Sequence, residues 1–328
     1  MLAVGSVSLP GNVFLAPMSG VSDVPFRDLV TELGGGCVVS EMIASESMVR
    51  QTRQSLRMAR PLKRASTLPT IIQLAGVKPC VMAEAAKLAV DLGADIVDIN
   101  MGCPAKKIVN HYAGSALMRD TKKAHTLLEA VVKAVSVPVT LKMRKGWDDS
   151  TQNAPELAHI AQDVGVQMIT IHGRTRCQFY QGSSDWSFFR QVKKRVSIPV
   201  VGNGDIKTPD QARHVMDHCG VDGVMVGRGC YGKPWLIAQV QTFLATGQIP
   251  SDPSLSEQKR IVLQHLDAIL HVYGKEAGVR IARKHLGWYS KGLPEGASFR
   301  ARVNQIGDAA VLVNVVSEFY EKQCDEIS

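Results

Sequence analysis

No stretch of the chain approaches the roughly 18 consecutive apolar residues of a membrane-spanning helix, so the sequence is not expected to enter a membrane. The first ten residues lack a basic start and a long apolar core, which argues against a secretory leader and for a cytoplasmic protein. There is no Cys-x-x-Cys pair. The seven cysteines, at 37, 80, 103, 177, 219, 230 and 324, are scattered, odd in number and distant from metal-spaced histidines. Reduced thiols and no metal site are the expectation. No Gly-x-Gly-x-x-Gly follows the first strand-like run, which argues against a Rossmann dinucleotide site.

Acidic residues are scarce in two places. Arg50, Arg53, Arg57, Arg60, Lys63 and Arg64 run with no acid among them. Lys275, Arg280, Arg283, Lys284, Lys291, Arg300 and Arg302 are opposed only by Glu276 and Glu295. Either run alone also suits a solvated face. The net charge of +8 is a modest excess for 328 residues, so placement says more than total about a polyanionic partner.

What is present is an ordinary globular composition, 45% hydrophobic and 21% charged, in a chain too long for one domain of about 150 residues. Short apolar runs rich in Val and Ile predict strands at Val13–Met18, Cys37–Met42, Thr70–Leu74, Ile96–Asn100, Val137–Met143, Met168–His172, Val200–Asn203 and Gly223–Gly227. Continuous runs of this kind suit parallel strands covered on both faces. Helical patterns lie between them at 26–33, 44–60, 78–92, 121–134, 154–164, 186–196, 209–219 and 234–245. Gly93, Gly165 and Gly220 stand at helix ends that lead into strands, as left-handed C-caps do. Eight such units predict a (β/α)₈ TIM barrel over 1–245; an open doubly wound sheet is the rival. The segment 247–253 reads as a linker, and 246–328 as a small all-helical domain with helices at 256–273, 277–289, 298–304 and 308–323. Ser254-Leu255-Ser256-Glu257 resembles a capping box.

A barrel of this kind carries its chemistry at the C-terminal ends of its strands. Gln73, Asn100, Lys142 and His172 are polar residues at or near such ends, and four at one rim point to a bound cofactor or substrate. Gly202-Asn203-Gly204-Asp205 and Gly227-Arg228-Gly229 follow the seventh and eighth strands, where glycine lets backbone amides approach a phosphate and Arg228 supplies a charged fork. Lys142 and Arg144 are expected on opposite sides of their strand, with Lys142 as the inward cation. An ordinary catalytic lysine remains open for that position.

Cys103 lies in Asn100-Met101-Gly102-Cys103-Pro104-Ala105-Lys106-Lys107, just past a strand end. Gly102 permits a tight turn, Pro104 stiffens it, and Lys106 and Lys107 either favour a thiolate or attract an anionic substrate. A lone cysteine is also often buried and inert.

Together with Ala16-Pro17-Met18-Ser19-Gly20, Lys142-Met143-Arg144, His172-Gly173-Arg174 and the two glycine loops, this stretch resembles the tRNA-dihydrouridine synthases, most like their B-type bacterial branch. Cys230 departs from the pattern, where alanine is expected. The resemblance implies an FMN-binding barrel reduced by NADPH, acting on uridine in tRNA. It implies that Pro17, Met18 and Ser19 line the flavin and that Gln73 and Lys142 bond its pyrimidine side. Asn203, Gly204, Asp205, Gly227 and Arg228 then hold its phosphate, with Asn100, Arg144 and His172 in reach of flavin or uracil. Cys103 becomes the proton donor, a role an ordinary thiol, protonated at neutral pH, can fill. Lys106, Lys107, Arg280, Arg283 and Lys284 become RNA contacts, and Trp288 and Tyr289 candidate stacking surfaces for bases, or core. A flavin barrel acting on a small molecule, as in dihydroorotate dehydrogenases, and a non-enzymatic RNA-binding barrel are the alternatives.

Overall fold

The computed structural model describes residues 2–63 and 67–325; Arg64, the last of the first basic run, lies outside them. A short antiparallel hairpin comes first, β1 (Ala3–Val4) and β2 (Val7–Ser8), turning at Gly5 with φ 57°. Strands of two residues are too short to show as a sequence pattern. The hairpin's purpose is visible in the packing. Val4 and Leu9 are buried against Phe14, Ile96, Met168, Val201 and Met225, so the hairpin stoppers the N-terminal end of the barrel interior.

The barrel follows in the order β3 (Val13–Leu15), α1 (Val24–Glu32), β4 (Cys37–Val38), β5 (Ile43–Ala44), α2 (Ser45–Val49), α3 (Arg53–Ala59), β6 (Ile71–Ala75), α4 (Pro79–Asp91), β7 (Ile96–Met101), α5 (Lys106–Val109), a 3₁₀ helix (Gly114–Arg119), α6 (Thr121–Ala134), β8 (Val139–Arg144), α7 (Ala154–Asp163), β9 (Met168–His172), α8 (Phe189–Lys193), β10 (Val200–Asn203), α9 (Pro209–Cys219), β11 (Gly223–Val226) and α10 (Leu236–Thr246). The strands pair in parallel in the order β4-β3-β11-β10-β9-β8-β7-β6-β5.

Two expectations need correction here. The second barrel strand is not one run over 37–42 but two pieces, β4 and β5. Between them Val39 bridges Ile71, Ser40 donates its N–H to the Ile71 carbonyl at 3.0 Å, and Ser40 Oγ accepts from Gln73 N–H at 2.9 Å. The side chain of Ser40 thus replaces a rung of the ladder, and the ring closes through the break. The helix expected over 44–60 is likewise two. Gln51 adopts φ 47°, and Thr52 then caps α3 by accepting from Ser55 N–H at 3.1 Å.

After α10 come α11 (Leu255–Tyr273), α12 (Lys275–Tyr289), α13 (Gly296–Gln305) and α14 (Ala309–Asp325). Ser254 caps α11 by accepting from Glu257 N–H at 3.3 Å. These helices enclose their own apolar core, including Leu266, Ile269, Leu286, Phe299, Leu312 and Phe319. The connecting segment is pinned rather than loose, because Asp252 accepts from Lys233, Trp235 and Gln239 at 2.7–3.0 Å.

The helical region is seated on α1 and on the loop after β11. Tyr273 donates to Asp23 at 2.9 Å, Phe26 packs against the His265 and His285 rings, and Trp288 stacks on Tyr231 at 4.0 Å and 12°. Tyr289 is buried and meets His265 Nδ1 at 3.0 Å. Trp288, half-buried, therefore serves this seam, and Tyr289 the helical core.

Asp23 is the buried acid of the seam, and it also caps α1 through Phe26 N–H at 3.1 Å. Burial is the largest influence and pushes its pKa up to about 6 from an ordinary 3.8, against the lowering effect of its hydrogen bonds. A carboxyl that is more basic folded than unfolded favours the folded state at low pH; that contribution is lost as pH rises from about 4 to 6. Asn carries no charge, keeps the cap by accepting from Phe26 N–H through Oδ1, and can donate from Nδ2 to the Tyr273 hydroxyl oxygen. Asp23→Asn should therefore gain stability relative to the parent as pH rises through that window, by on the order of 3 kcal/mol, and hold the gain at pH 7. Urea unfolding at pH 4 and pH 7 checks this; an equal difference at both values would refute it.

Candidate active site

Within the strands, side chains alternate between the barrel interior and the helix layer, so residues two apart share a face. Asp98 and Asn100 on β7 both point inward, as do Thr140, Lys142 and Arg144 on β8. Lys142 and Arg144 thus stand on the same side, against expectation: the separation of two that was read as opposition is what aligns them. Both line one cleft of 530 Å³ at the C-terminal mouth.

That cleft gathers every residue singled out for cofactor binding. Pro17, Met18 and Ser19 come from the loop after β3, Gln73 from β6 and Asn100 from β7. Lys142 and Arg144 come from β8, His172 from β9, and Asn203, Gly204 and Asp205 from the end of β10 and the turn after it. Gly227 and Arg228 follow β11, and Cys103 stands on the rim, partly exposed. Lys106 and Lys107 lie just beyond it, exposed on α5.

The floor is a hydrogen-bonded relay with a defined direction. Asp98 is buried and accepts from Thr140 Oγ1 and from Gln73 Nε2, both at 2.6 Å. Gln73 must therefore turn its Oε1 toward Asn100, whose Nδ2 donates to it at 2.8 Å. Asn100 Oδ1 is then left to accept from Gly102 and Cys103 N–H at 3.2 and 2.9 Å. On the far side of the thiol, the Cys103 carbonyl accepts from Ser115 N–H at 3.1 Å and Ser115 Oγ at 2.8 Å. The Cys103 backbone is held from both ends while its side chain faces the cleft.

Charge in the cleft is mostly positive and expensive to keep. Burial lowers the Lys142 pKa to about 8, and Arg144 nearby adds to the effect. Arg144 is itself lowered to about 10 by burial. Burial and the surrounding cations hold His172 well below its usual value, so its ring is neutral at pH 7. Lys142 donates to Asn203 Oδ1 at 3.1 Å, and its other two N–H groups have no acceptor among the described residues. A buried ammonium with donors to spare fits the electron-rich edge of a flavin, and Arg228 at the outer end of the cleft fits its phosphate.

Asp205 has a different part from the one expected. Its carboxylate holds Arg174 by a two-pronged contact at 3.0 and 2.6 Å, accepts from Ser184 N–H at 2.9 Å and pairs with Arg228 at 3.2 Å. Its side chain positions cations, and because a carboxylate has no hydrogen to donate, a phosphate contact at this residue falls to its backbone N–H. Arg174, fully buried, also donates to the Gln181 and Gly182 carbonyls and so ties down the loop after β9.

Sequence reasoning missed Tyr180, whose ring lies under both Arg228 and Arg144, and Tyr231. Both lie in the same loops as recognised motifs but outside the motif residues themselves. It also missed the roles of Asp98 and Ser115; Asp98 was detectable, because it sits two residues before Asn100 on a strand. Cys230 is buried beneath the loop after β11, away from the cleft. Of the helical-region cations, Arg280 is exposed beside Glu276 at 3.1 Å, whereas Arg283 donates to the Ile306 carbonyl at 2.8 Å. Lys284 is half-buried, facing Asp23 and Glu41. Arg283 and Lys284 are thus turned toward the fold.

The family model described as dihydrouridine synthase matches residues 14–324. A probable tRNA-dihydrouridine synthase of Rickettsia conorii is 53% identical over 320 residues, spanning 98% of this chain and 96% of the relative. A tRNA-dihydrouridine synthase B of Xanthomonas axonopodis pv. citri is 49% identical over 304 residues, 93% of this chain and 91% of the relative. Among solved structures, histamine dehydrogenase from Rhizobium sp. 4-9 superposes with a TM-score of 0.60 at 12% identity, over 99% of this chain and 64% of that one. Morphinone reductase in complex with tetrahydroNAD gives 0.53 at 15% identity, over 78% and 92%. At such identity these two establish the barrel fold alone.

Asp205→Asn tests the charge arrangement. Asp205 has φ 56°, which asparagine tolerates, so the backbone is unstrained by the change. The buried Arg174 guanidinium would lose its counter-charge, at a cost of about 3–5 kcal/mol. Denaturant unfolding reads the loss; a change below about 1 kcal/mol would show that the pair is not needed.

Proposed function

Because the chain belongs to the dihydrouridine synthase family, we propose that it reduces uridines in tRNA to 5,6-dihydrouridine, with FMN as cofactor, NADPH as reductant and Cys103 as the proton donor. The observation that carries this reading is the convergence of Gln73, Lys142, His172, Asn203 and Arg228 on a single cleft with the Cys103 side chain at its edge.

When bound, FMN supplies the hydride that goes to uracil C6. The protein's own residues do the rest. Lys142 and Gln73 would hold the flavin's pyrimidine edge, where the Lys142 ammonium would stabilise negative charge. Binding an anion raises its pKa again and recovers part of what burial costs it. Pro17, Met18 and Ser19 line the ring, while Asn203, Gly204, Gly227 and Arg228 hold the phosphate; Asp205 acts through Arg174 and Arg228. Neutral His172 and cationic Arg144 serve the uracil side. The Cys103 thiol gives its proton to C5, which balances the hydride at C6 and leaves a thiolate to be reprotonated from water. Proximity does much of the work, because the thiol's backbone is fixed by Asn100 and Ser115 before substrate arrives. The uridine must leave its stack to reach the mouth of a barrel. Lys106, Lys107 and Arg280 are the exposed cations offered to the RNA backbone; Arg283 and Lys284 act through the fold.

The purified protein should be yellow. An absorbance scan without flavin bands, none of them regained on adding FMN, would dismiss the cofactor assignment.

For the thiol, Cys103→Ala should retain FMN, accept hydride from NADPH at the parental rate and bind tRNA. The step from reduced flavin to uridine should slow by about 10²–10⁴-fold, the usual weight of general acid catalysis. Cys103→Ser should do little better, since a hydroxyl is a far weaker acid. Single-turnover flavin reoxidation by unmodified tRNA, without oxygen, is the measurement. An alanine variant that reoxidises at the parental rate would remove Cys103 from the chemistry.

A further inference from the structure

We propose that the barrel itself carries a second RNA-contact surface, built on Arg119, Trp147 and Arg176, on the side of the mouth away from the helical region. This rests on the tRNA reading above and extends it to residues that no motif marks.

Three loops on that side are stitched into one rim. Arg144 Nε donates to the Gly102 carbonyl, and its Nη1 donates to the Thr175 and Phe179 carbonyls, all at 2.8 Å. The loop after β7 is thereby joined to the loop after β9. Arg176 and Cys177 N–H donate to the Gly146 and Trp147 carbonyls at 2.9 and 2.8 Å, which adds the loop after β8. Asn153 Nδ2 donates to the Met118 carbonyl at 2.7 Å and closes the circuit. The 3₁₀ helix that ends in Arg119 begins beside Cys103, through the Ser115 contacts to the Cys103 carbonyl. The rim is therefore continuous with the edge that bears the thiol.

On this rim two guanidiniums lie against one indole. Arg119 is 4.8 Å and Arg176 is 4.7 Å from the Trp147 ring centroid, and Arg176 also lies 4.8 Å from Phe179. Such stacking engages the planar face of a guanidinium; Arg119 is exposed, whereas Arg176 is half-buried with its Nε buried and unpartnered. Neither arginine has an ion-pair partner among the described residues. Asp120 is paired with Lys123 at 3.1 Å, Asp148 accepts from the hydroxyls and amides of Ser150 and Thr151, and Asp148 and Glu156 line a cavity with Arg119 and Trp147 without pairing either arginine. Exposed Lys106, Lys107 and Lys122 extend the same positive face. Two like charges against one ring repel each other, and an anion bound at their outer edge relieves that repulsion.

The partner this chemistry fits is the phosphate backbone of RNA. The guanidinium fork matches phosphate geometry, and the cations border the mouth through which a uridine must enter. Trp147 is committed to holding the arginines, so its part is to fix them in place rather than to stack a base. The helical region is seated on α1 and on the loop after β11, so contacts on this rim would grip the RNA from across the opening. A base drawn out of its stack needs its flanking backbone held on both sides.

The test uses flavin-loaded enzyme and an unmodified tRNA transcript, with binding followed by fluorescence anisotropy across a potassium chloride series. Flavin absorbance and thermal melting establish that each variant is folded. Arg119→Gln should weaken binding several-fold and lower the log–log salt slope by about 0.7–0.9, one lost phosphate contact. Adding Arg176→Gln should weaken binding roughly tenfold or more and lower the slope by about twice as much. Arg119 is exposed, so the single variant decides the matter if the double one does not fold. Parental affinity and slope in a folded variant would overturn the proposal. Weaker binding at an unchanged slope would overturn it too, by showing that the residues act through the fold. Failure of the parent enzyme to bind tRNA at all would instead refute the functional reading on which the proposal rests.

Discussion

Asp98 is the constraint from which the mouth of the barrel is built. A carboxylate accepts and does not donate, so each partner must present a hydrogen. Once Gln73 turns its amide nitrogen to Asp98, its oxygen is committed to Asn100, and Asn100 is committed to the amides of Gly102 and Cys103. One buried acid thus fixes two amide orientations that would otherwise be interchangeable, and through them the turn that presents the thiol. Burial raises the Asp98 pKa, opposed by the donations from Gln73 and Thr140 and by the nearby Lys142 charge. Lys142 in turn is lowered by burial and sustained in part by Asp98. Acid and cation stabilise each other's charge, and the Lys142 ammonium depends on the same residue that sets the position of the cysteine.

The helical region is coupled to the same mouth through its floor plan. Its Trp288 stacks on Tyr231, which lines the cleft just after the glycine loop at 227–229. Its Tyr273 bonds Asp23, which follows the Pro17–Ser19 loop, and Glu41 accepts from Gly20 N–H at 2.6 Å in the same neighbourhood. Two of the loops that form the cleft are therefore braced by contacts at the seam. A surface read from composition as a basic platform for RNA is in large part a brace for the cleft, which is why Arg283 and Lys284 turn inward.

Much of this was legible because a parallel barrel repeats one local rule. Apolar runs buried on both faces, glycine at helix ends and polar residues at strand ends mark each unit, and they placed Gln73, Asn100, Lys142, His172 and Asn203 at one rim before any coordinates. Local breaks were not legible. The gap between β4 and β5 depends on Ser40 reaching Gln73, a partner 33 residues away. The hairpin at Ala3–Ser8 is two residues per strand, too short to carry a pattern. Tyr180 and Tyr231 acquire meaning only from the arginine and tryptophan that pack on them. Charge runs were the poorest guide, since sequence shows how many cations lie together and not which way they point.

Depth sorts those cations by what they can do. Lys142 and Arg144, in the cleft, have lowered pKa values because burial disfavours their charge, with Arg144 adding to the effect on Lys142 and Arg174 and Arg176 to that on Arg144. Arg228, at the outer edge, is half-exposed and shares Asp205 with Arg174. Lys106, Lys107 and Arg119 stand in water on the rim, where charge costs little and salt screens it. The inner cations therefore gain most from an anion that enters and excludes water, and the outer ones from an anion that passes by and releases counter-ions. A small buried phosphate-bearing cofactor and a long polyanion make those two different demands, and the positive charge of this one mouth, which runs from the barrel interior out to the rim, is graded in the way that the proposed function needs.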